Sequence, residues 1–302
     1  MSSKKPVFKE SFKDYFKNLL GNELDDFINA CKMPLKDSIR VNTLKITPEK
    51  LKEYLEKKEW KLSAVPFYKD AFIVEKRNES LGNTIEHFMG YYYVQEQSSM
   101  IPPLVLNPQP GELVLDCCAS PGSKTGQLCQ LMDNKGILIA NDKTTGRVII
   151  LKSNLQRLGA RNTIVTRHPG QYFGRFNNAF DKILLDAPCT GFGAIRKDWS
   201  ITKMFNTKTF GFMKRVQSEL LESSWNALKK GGALVYSTCT LTTEENEEVI
   251  KSFLNNHDNA RLEKIRIAGL DKCEGIDLKE TIRIWPHRID MEGFFVAKVV
   301  KE

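Results

Sequence analysis

Two short segments hold the residue types best able to form a covalent bond. Leu184-Leu-Asp-Ala-Pro-Cys-Thr-Gly191 and Tyr236-Ser-Thr-Cys-Thr240 each follow an apolar run that reads as a buried strand, so Cys189 and Cys239 stand in loops just past strand ends. A structural cysteine is usually a small buried hydrophobe and sits inside a strand more often than after it. Two loop thiols at one edge therefore predict chemistry. The thiolate is the nucleophilic form, and at about pH 7 only a few per cent of a free thiol is ionised, so its setting must activate it. A redox pair is the rival use, but separate loops are not the Cys-x-x-Cys arrangement. A third segment, Asp116-Cys-Cys-Ala-Ser-Pro-Gly-Ser-Lys-Thr125, runs from a strand through a turn of small residues into a helix. Such a turn offers backbone N–H groups to a ligand's polar end. It is neither Gly-x-Gly-x-x-Gly nor a Gly-x-x-x-x-Gly-Lys-Ser/Thr phosphate loop. Asp142, after the next strand, is where an acid holds two ribose hydroxyls in dinucleotide folds.

The elements that position these residues are legible from residue 111 onward. Strands are predicted at 112–116, 136–140, 162–166, 181–185 and 233–236. Between them lie helical runs: Leu128, Leu131 and Met132; then Val148, Leu151, Leu155 and Leu158, closed by Gly159. A longer one carries Met213, Val216, Leu220, Leu221, Trp225 and Leu228 and stops at Lys230-Gly231-Gly232. Alternating apolar strands and helices predict an α/β fold with a mostly parallel, doubly wound sheet covered on both faces. In such sheets ligands bind beyond the carboxyl ends of the strands, where Asp116, Asp142, Asp186 and Cys239 all fall. Earlier in the chain, Phe12, Phe16 and Leu19, and then Leu51, Tyr54 and Leu55, are at helical spacing, and Ile39-Arg-Val-Asn-Thr-Leu alternates like a strand. A small α+β domain over residues 1–92, ahead of a larger one over 93–302, is the expected division.

Composition narrows the class. The chain has 302 residues, 41% of them hydrophobic, and a net charge of +8. No run approaches the roughly 18 apolar residues of a membrane span, and the start lacks a signal peptide's apolar stretch. A soluble, cytoplasmic monomer is expected. The positive surplus suits a polyanionic partner. Seven irregularly spaced cysteines and four histidines make neither a disulfide framework nor a zinc set, so no metal is expected. The lysines at 4, 5, 9, 13 and 17 read as one solvated helix face that also attracts phosphate. Phe67-Tyr68 and Tyr91-Tyr-Tyr93 read as core first and base-stacking surface second. Of the histidines, only His168 falls near the pocket.

These segments resemble the signature motifs of the Sun/Fmu family of S-adenosylmethionine-dependent RNA (cytosine-5) methyltransferases, which includes bacterial 16S ribosomal RNA enzymes and archaeal and eukaryotic tRNA enzymes. The resemblance takes in Ser38-Ile-Arg-Val-Asn-Thr-Leu-Lys45, Tyr93-Val-Gln-Glu-Gln-Ser-Ser-Met-Ile-Pro102, the Ala-Ser-Pro-Gly-Ser-Lys loop, both cysteine motifs, Thr243-Glu-Glu-Asn-Glu247 and Gly293-Phe-Phe-Val-Ala297. It implies a Rossmann-like methyltransferase fold preceded by a small RNA-binding domain, with S-adenosyl-L-methionine as cofactor and tRNA or rRNA as partner. By the same resemblance Cys118, Ala119, Ser120, Pro121, Gly122, Ser123 and Lys124 hold the methionine part of the cofactor. Asp142 holds the ribose, Arg147 adjoins it, and Asp186 lies between cofactor and base. Cys239 is the nucleophile and Cys189 its helper. The additional C-terminal RNA-binding domains of some members are expected to be absent.

The chemistry explains why such residues are needed. Carbon 5 of cytosine is a poor nucleophile, and thiolate addition at carbon 6 turns the ring into an enamine that can take a methyl group. The charge pushed onto the ring needs an acid near N3. Asp186 serves only if protonated, which requires burial to lift its pKa from about 3.9. Cys189 is placed to take the carbon 5 proton, and the base must leave its stack to be reached. DNA cytosine-5 methyltransferases use the Pro-Cys cysteine as nucleophile and a Glu-Asn-Val acid; this chain has no Glu-Asn-Val and carries the second cysteine instead. One departure is plain. Where the family has an Asp that reads the adenine amino group, Thr166-Arg-His-Pro-Gly-Gln171 has Pro169. An RNA-binding relative with a weakened cofactor pocket and no activity is therefore the alternative.

Overall fold

The computed structural model describes residues 6–302. Helices α1 (Glu10–Leu20) and α2 (Leu24–Lys32) open the chain, followed by β1 (Ser38–Val41), α3 (Pro48–Glu56), β2 (Lys61–Val65), β3 (Tyr68–Lys76), α4 (Ile85–Phe88) and β4 (Tyr92–Val94). The four strands form an antiparallel sheet in the order β2-β3-β1-β4. Helix α5 (Ile101–Leu106) then leads into β5 (Leu113–Asp116), α6 (Ser123–Leu131), β6 (Ile137–Asn141), α7 (Thr145–Leu158), β7 (Thr163–Thr166) and β8 (Phe180–Asp186). Next come α8 (Lys208–Ala227), β9 (Leu228–Thr238), α9 (Glu247–Asn255), β10 (Ala260–Glu263), β11 (Glu274–Gly275), β12 (Leu278–Ile284) and β13 (Phe294–Lys301).

The large sheet runs β11-β12-β13-β9-β8-β5-β6-β7, with β5 to β9 parallel. All five strands expected from the sequence are present, and the sheet is doubly wound. Side chains alternate across it. Leu115, Ile183, Leu185, Leu234 and Tyr236 pack on one side with Leu221, Trp225 and Phe253, whereas Val114, Leu184 and Val235 pack on the other with Leu128, Met132 and Ile101. Burial of each such side chain contributes about 1.5–3 kcal/mol. Both faces are covered, so only the strand ends are open to a ligand.

Three boundaries differ from the sequence reading. The α8 helix ends at Ala227, not at Lys230-Gly-Gly, because Leu228 is fully buried and already pairs with β8. The antiparallel wing β10 to β13 extends the sheet by pairing β13 with β9. The small sheet continues to Val94, so a division at 92/93 cuts β4, whose Tyr93 pairs with Arg40 of β1. The first two helices also pack onto the larger unit. Phe12, Phe16 and Phe27 pack against Phe192, Phe205, Phe210 and Trp285 of the larger unit. An amphipathic stripe shows that a helix has a buried face but not what covers it.

Tyr68 and Tyr92 are core residues, and Phe67 and Tyr91 pack against the core. Lys9 precedes α1 and donates to the Phe205 carbonyl, while Lys13 pairs with Glu10 at 3.0 Å; Lys4 and Lys5 lie outside the described residues. Among the described residues no helix is long and apolar enough to cross a membrane.

Candidate active site

Parallel pairing of β8 with β9 sets Asp186 beside Ser237, so the loops after both strands leave the sheet at the same edge. The consequence is direct: the Cys189 and Cys239 sulfurs lie 3.4 Å apart, both half-buried. The Cys239 sulfur alongside, together with burial, holds the Cys189 thiol well above its ordinary range. Cys189 thus keeps its proton, and either sulfur can donate in the contact. Beneath them Asp186 accepts from Ser237 Oγ at 2.7 Å and pairs with Lys124 Nζ at 2.7 Å. Burial works to lower the Lys124 value, but the Asp186 carboxylate outweighs it and the net shift is upward. Lys124 therefore stays an ammonium, and its nitrogen also lies 5.4 Å from the Phe294 ring.

This arrangement differs from the protonated Asp186 expected from the sequence. An acid is driven neutral by burial without a partner, and here an ammonium has been brought in from the 116–125 loop. The acidic proton beside Asp186 belongs to Lys124.

The 116–125 loop is built as a cradle. Gly122 has φ +103°, and a Cβ there would stand 3.0 Å from Leu151 Cδ1, so the turn requires glycine. Ala119 N–H donates to Asn141 O at 2.7 Å, and Arg40 Nη2 donates to Ser123 O at 3.2 Å, tying the loop to β6 and to the small sheet. Asp116 accepts from Thr125 Oγ1 at 2.7 Å through one oxygen, while the other is buried and has no partner. Burial lifts its carboxyl to about 7 against the opposing Thr125 bond. Asp142 accepts from Arg147 Nε through both oxygens, at 3.0 and 2.9 Å, and from Ser120 N–H at 3.3 Å. Arg147 Nη2 in turn donates to Ser120 O. A diol could reach Asp142 if the half-exposed Arg147 swings aside. The unpartnered Asp116 oxygen, the glycine turn and the rimmed carboxylate fit the polar ends of S-adenosylmethionine.

The residues named from the sequence thus converge. Cys118, Ala119, Ser120, Pro121, Gly122, Ser123 and Lys124 form one loop, Asp142 and Arg147 form its rim, and Asp186, Cys189 and Cys239 adjoin Lys124. Pro169 is exposed at the head of a short turn, with φ −53°. Neither neighbour replaces the missing acid. Gln171 reaches Glu219 on α8 at 3.3 Å, and the His168 ring stacks on Tyr172 at 4.0 Å.

Sequence reasoning missed the acids behind the thiols. Glu245 is fully buried and accepts from Thr190, Thr242 and Gln217, and Glu247 is buried in an ion pair with Arg283. In the sequence, Thr-Glu-Glu-Asn-Glu before an apolar run reads as negative charge favouring a helix start. That reading is true of α9 but hides the inward residues.

Comparison with known proteins agrees with this geometry. Residues 103–300 match the family described as 16S rRNA methyltransferase RsmB/F, and residues 8–97 match the N-terminal domain of 16S rRNA methyltransferase RsmF. The chain is 42% identical over 289 residues to a ribosomal RNA small subunit methyltransferase F of Shewanella loihica, covering 92% of this chain and 59% of that one. It spans about three-fifths of the length of such curated relatives. It is 40% identical to a tRNA (cytosine(49)-C(5))-methyltransferase of Pyrococcus abyssi, covering 97% and 99% of the two chains. Among solved structures, a methyltransferase homologue from Pyrococcus horikoshii superposes with a TM-score of 0.88 at 37% identity, covering 98% and 96%. NSun6 from Pyrococcus horikoshii, solved with SFG, superposes at 0.90 and 26%, covering 98% and 99%. With two family matches that together span nearly the whole chain, the protein belongs to the RsmB/F family of RNA methyltransferases, the Sun/Fmu family.

Proposed function

We propose that this protein transfers a methyl group to carbon 5 of a cytosine in structured RNA, tRNA or rRNA, through a covalent bond between Cys239 and carbon 6. The observation that carries the reading is the pair of sulfurs 3.4 Å apart beside the Lys124–Asp186 ion pair. S-adenosylmethionine, when bound, supplies the electrophilic methyl group. Residues 118–124 would hold its methionine end, and Asp142 its ribose once Arg147 moves.

The chain's own residues divide the remaining work. Cys239 attacks carbon 6 as a thiolate, with the Lys124 charge close enough to act on its sulfur. Lys124 meets the charge pushed onto the ring, and the Asp186 carboxylate orients Lys124 and can accept from the cytosine amino group. While Cys239 is an anion, Cys189 stays a thiol. Bond formation at carbon 6 removes that anion and with it the largest cause of the raised Cys189 value, burial remaining, and Cys189 can then yield its proton to water. It then takes the carbon 5 proton. One pair of thiols thus serves the two steps in order.

The test is to incubate the protein with transcripts of 16S rRNA and of tRNAs and with cofactor labelled on its methyl group, then digest the RNA to nucleosides. Label in 5-methylcytidine is expected. Label on another nucleoside, or none despite cofactor binding, overturns the reading. The Pro169 substitution supports a second reading, an RNA-binding relative without activity. It requires that calorimetry detect no cofactor binding.

A further inference from the structure

The Thr243-Glu-Glu-Asn-Glu247 segment plays no part in the chemistry above, yet three of its side chains, Glu245, Asn246 and Glu247, are buried. Glu244 faces outward and accepts from Tyr15 at 2.5 Å, and Glu247 turns away to Arg283. Glu245 and Asn246 point inward: Glu245 holds the Cys189 loop and Thr242, and Asn246 holds the residues on either side of Cys239.

Each oxygen of Glu245 is doubly occupied. Oε2 accepts from Thr190 N–H at 3.0 Å and Gln217 Nε2 at 2.9 Å; Oε1 accepts from Thr190 Oγ1 at 2.5 Å and Thr242 Oγ1 at 2.9 Å. Thr190 follows Cys189, and the same Gln217 amide also holds Pro188 O, the residue before it, at 2.9 Å. The Cys189 loop is therefore gripped on both sides through one carboxylate. Asn246 grips the other loop. Its Oδ1 accepts from Thr238 Oγ1 at 2.5 Å and its Nδ2 donates to Thr240 O at 3.0 Å, on either side of Cys239. Cys239 has an anchor of its own as well, its carbonyl accepting from Gly193 N–H at 2.9 Å.

We propose that Glu245 is a positioning residue that sets Cys189 for the release step, while the adjacent Asn246 sets Cys239 for attack. The proposal rests on the roles assigned to the two cysteines above. In release, the Cys189 thiolate takes the hydrogen of carbon 5 as a proton. The C5–H electron pair becomes the C5=C6 double bond, the C6–S bond breaks, and its pair leaves on Cys239 as thiolate. Proton transfer needs the base within about 2.6–3.2 Å of the carbon or a bridging water. A misplacement of about 1 Å can cost on the order of a hundredfold. Loosening Glu245 frees Thr190 and so moves Cys189 most, while Cys239 keeps Asn246 and Gly193, although Thr242 and the Thr190–Thr240 hydroxyl contact at 2.8 Å link the two loops.

The experiment uses the full chain with transcripts of 16S rRNA and tRNAs, made with cytidine or with 5-fluorocytidine, whose fluorine cannot leave as a proton. The readouts are the fraction of RNA that migrates with protein on a denaturing gel, turnover, and cofactor affinity. On ordinary RNA, Glu245→Ala should accumulate adduct at least about tenfold above the unsubstituted chain, as Cys189→Ala does, with unchanged cofactor affinity. Glu245→Gln should restore release, because its NH2 can face the two threonine hydroxyls while its oxygen keeps the two N–H donors. Thr190→Val, which keeps the N–H and the fold, should accumulate adduct to a smaller extent and carries the test if Glu245→Ala does not fold. Asn246→Ala should instead lose trapping even on 5-fluorocytidine RNA. The proposal is overturned if Cys189→Ala accumulates adduct and Thr190→Val and Glu245→Ala lose turnover without it, or if Glu245→Gln behaves like Glu245→Ala. If Cys189→Ala itself accumulates none, the assignment of the cysteines has failed and the proposal falls with it.

Discussion

The two ends of the ligand-binding edge are built on opposite principles. Behind the thiols every acid has its partners: Glu245 takes four donors, and Glu247 takes Arg283 with both residues wholly buried. At the cofactor end the acids are held open. One Asp116 oxygen is buried with no partner, Asp142 takes long backbone bonds from Ser120 and Thr144 and its one charged partner is a half-exposed arginine, and position 169 has no acid at all. A satisfied polar network fixes geometry, while an unsatisfied one costs stability until a ligand completes it. On the proposed function, the covalent chemistry is thus preorganised in the protein, and the cofactor pocket is finished by what binds it.

Asp186 stands between the halves and should give the largest effect. Asp186→Asn removes the carboxylate that orients Lys124, and turnover should fall by about 10²–10⁴-fold. A steady-state assay with unchanged RNA affinity and a loss below tenfold would take Asp186 out of the mechanism. The rigid half can be broken next. Removing one partner of a buried ion pair costs about 3–5 kcal/mol, so Glu247→Ala should show that loss in a denaturant titration. A cost under about 1 kcal/mol would mean that the Arg283 pair is not fixing the loop.

The open half should respond to completion. Position 169 has φ −53°, which aspartate can adopt, so Pro169→Asp is compatible with the backbone. A hydrogen bond to a charged acceptor contributes about 1.5–3 kcal/mol, and calorimetry should show S-adenosylmethionine binding roughly ten- to a hundredfold tighter. Equal affinities would mean that the adenine is read elsewhere.

The smallest effect is a pH slope. Burial holds Asp116 at about 7, above its ordinary value of 3.8, so the folded state binds more protons than the unfolded one between those limits. Stability should therefore fall as pH rises from about 4 to about 7 and level off above. Glu292, lifted to about 7 by burial and then by Glu96, slopes the same way. Comparing Asp116→Asn with the unsubstituted chain across that range isolates one group. An unchanged slope would remove Asp116 as its source.

What the sequence makes legible follows the same division. Residues that act through the backbone path, meaning strand ends, the glycine turn and the two cysteine loops, are found because strand periodicity and turn chemistry are local. The Lys124–Asp186 pair is not, since it joins loops that only the parallel pairing of β5 with β8 brings together. For the same reason Asp186 reads as a buried acid in need of a proton when its partner is out of sight. Helices α1 and α2 show their apolar faces plainly, but their placement on the larger unit depends on Phe192, Phe205, Phe210 and Trp285 far along the chain. Glu245 and Asn246 are hidden by an innocent local role at the start of α9.

The central claim is that Cys239 bonds to the base and Cys189 frees it. The direct measurement is a denaturing gel of Cys239→Ala and Cys189→Ala with labelled RNA and cofactor. Cys189→Ala should retain RNA covalently, while Cys239→Ala should retain none and still bind S-adenosylmethionine. Adduct in the Cys239→Ala variant would contradict the account and exchange the roles of the two thiols.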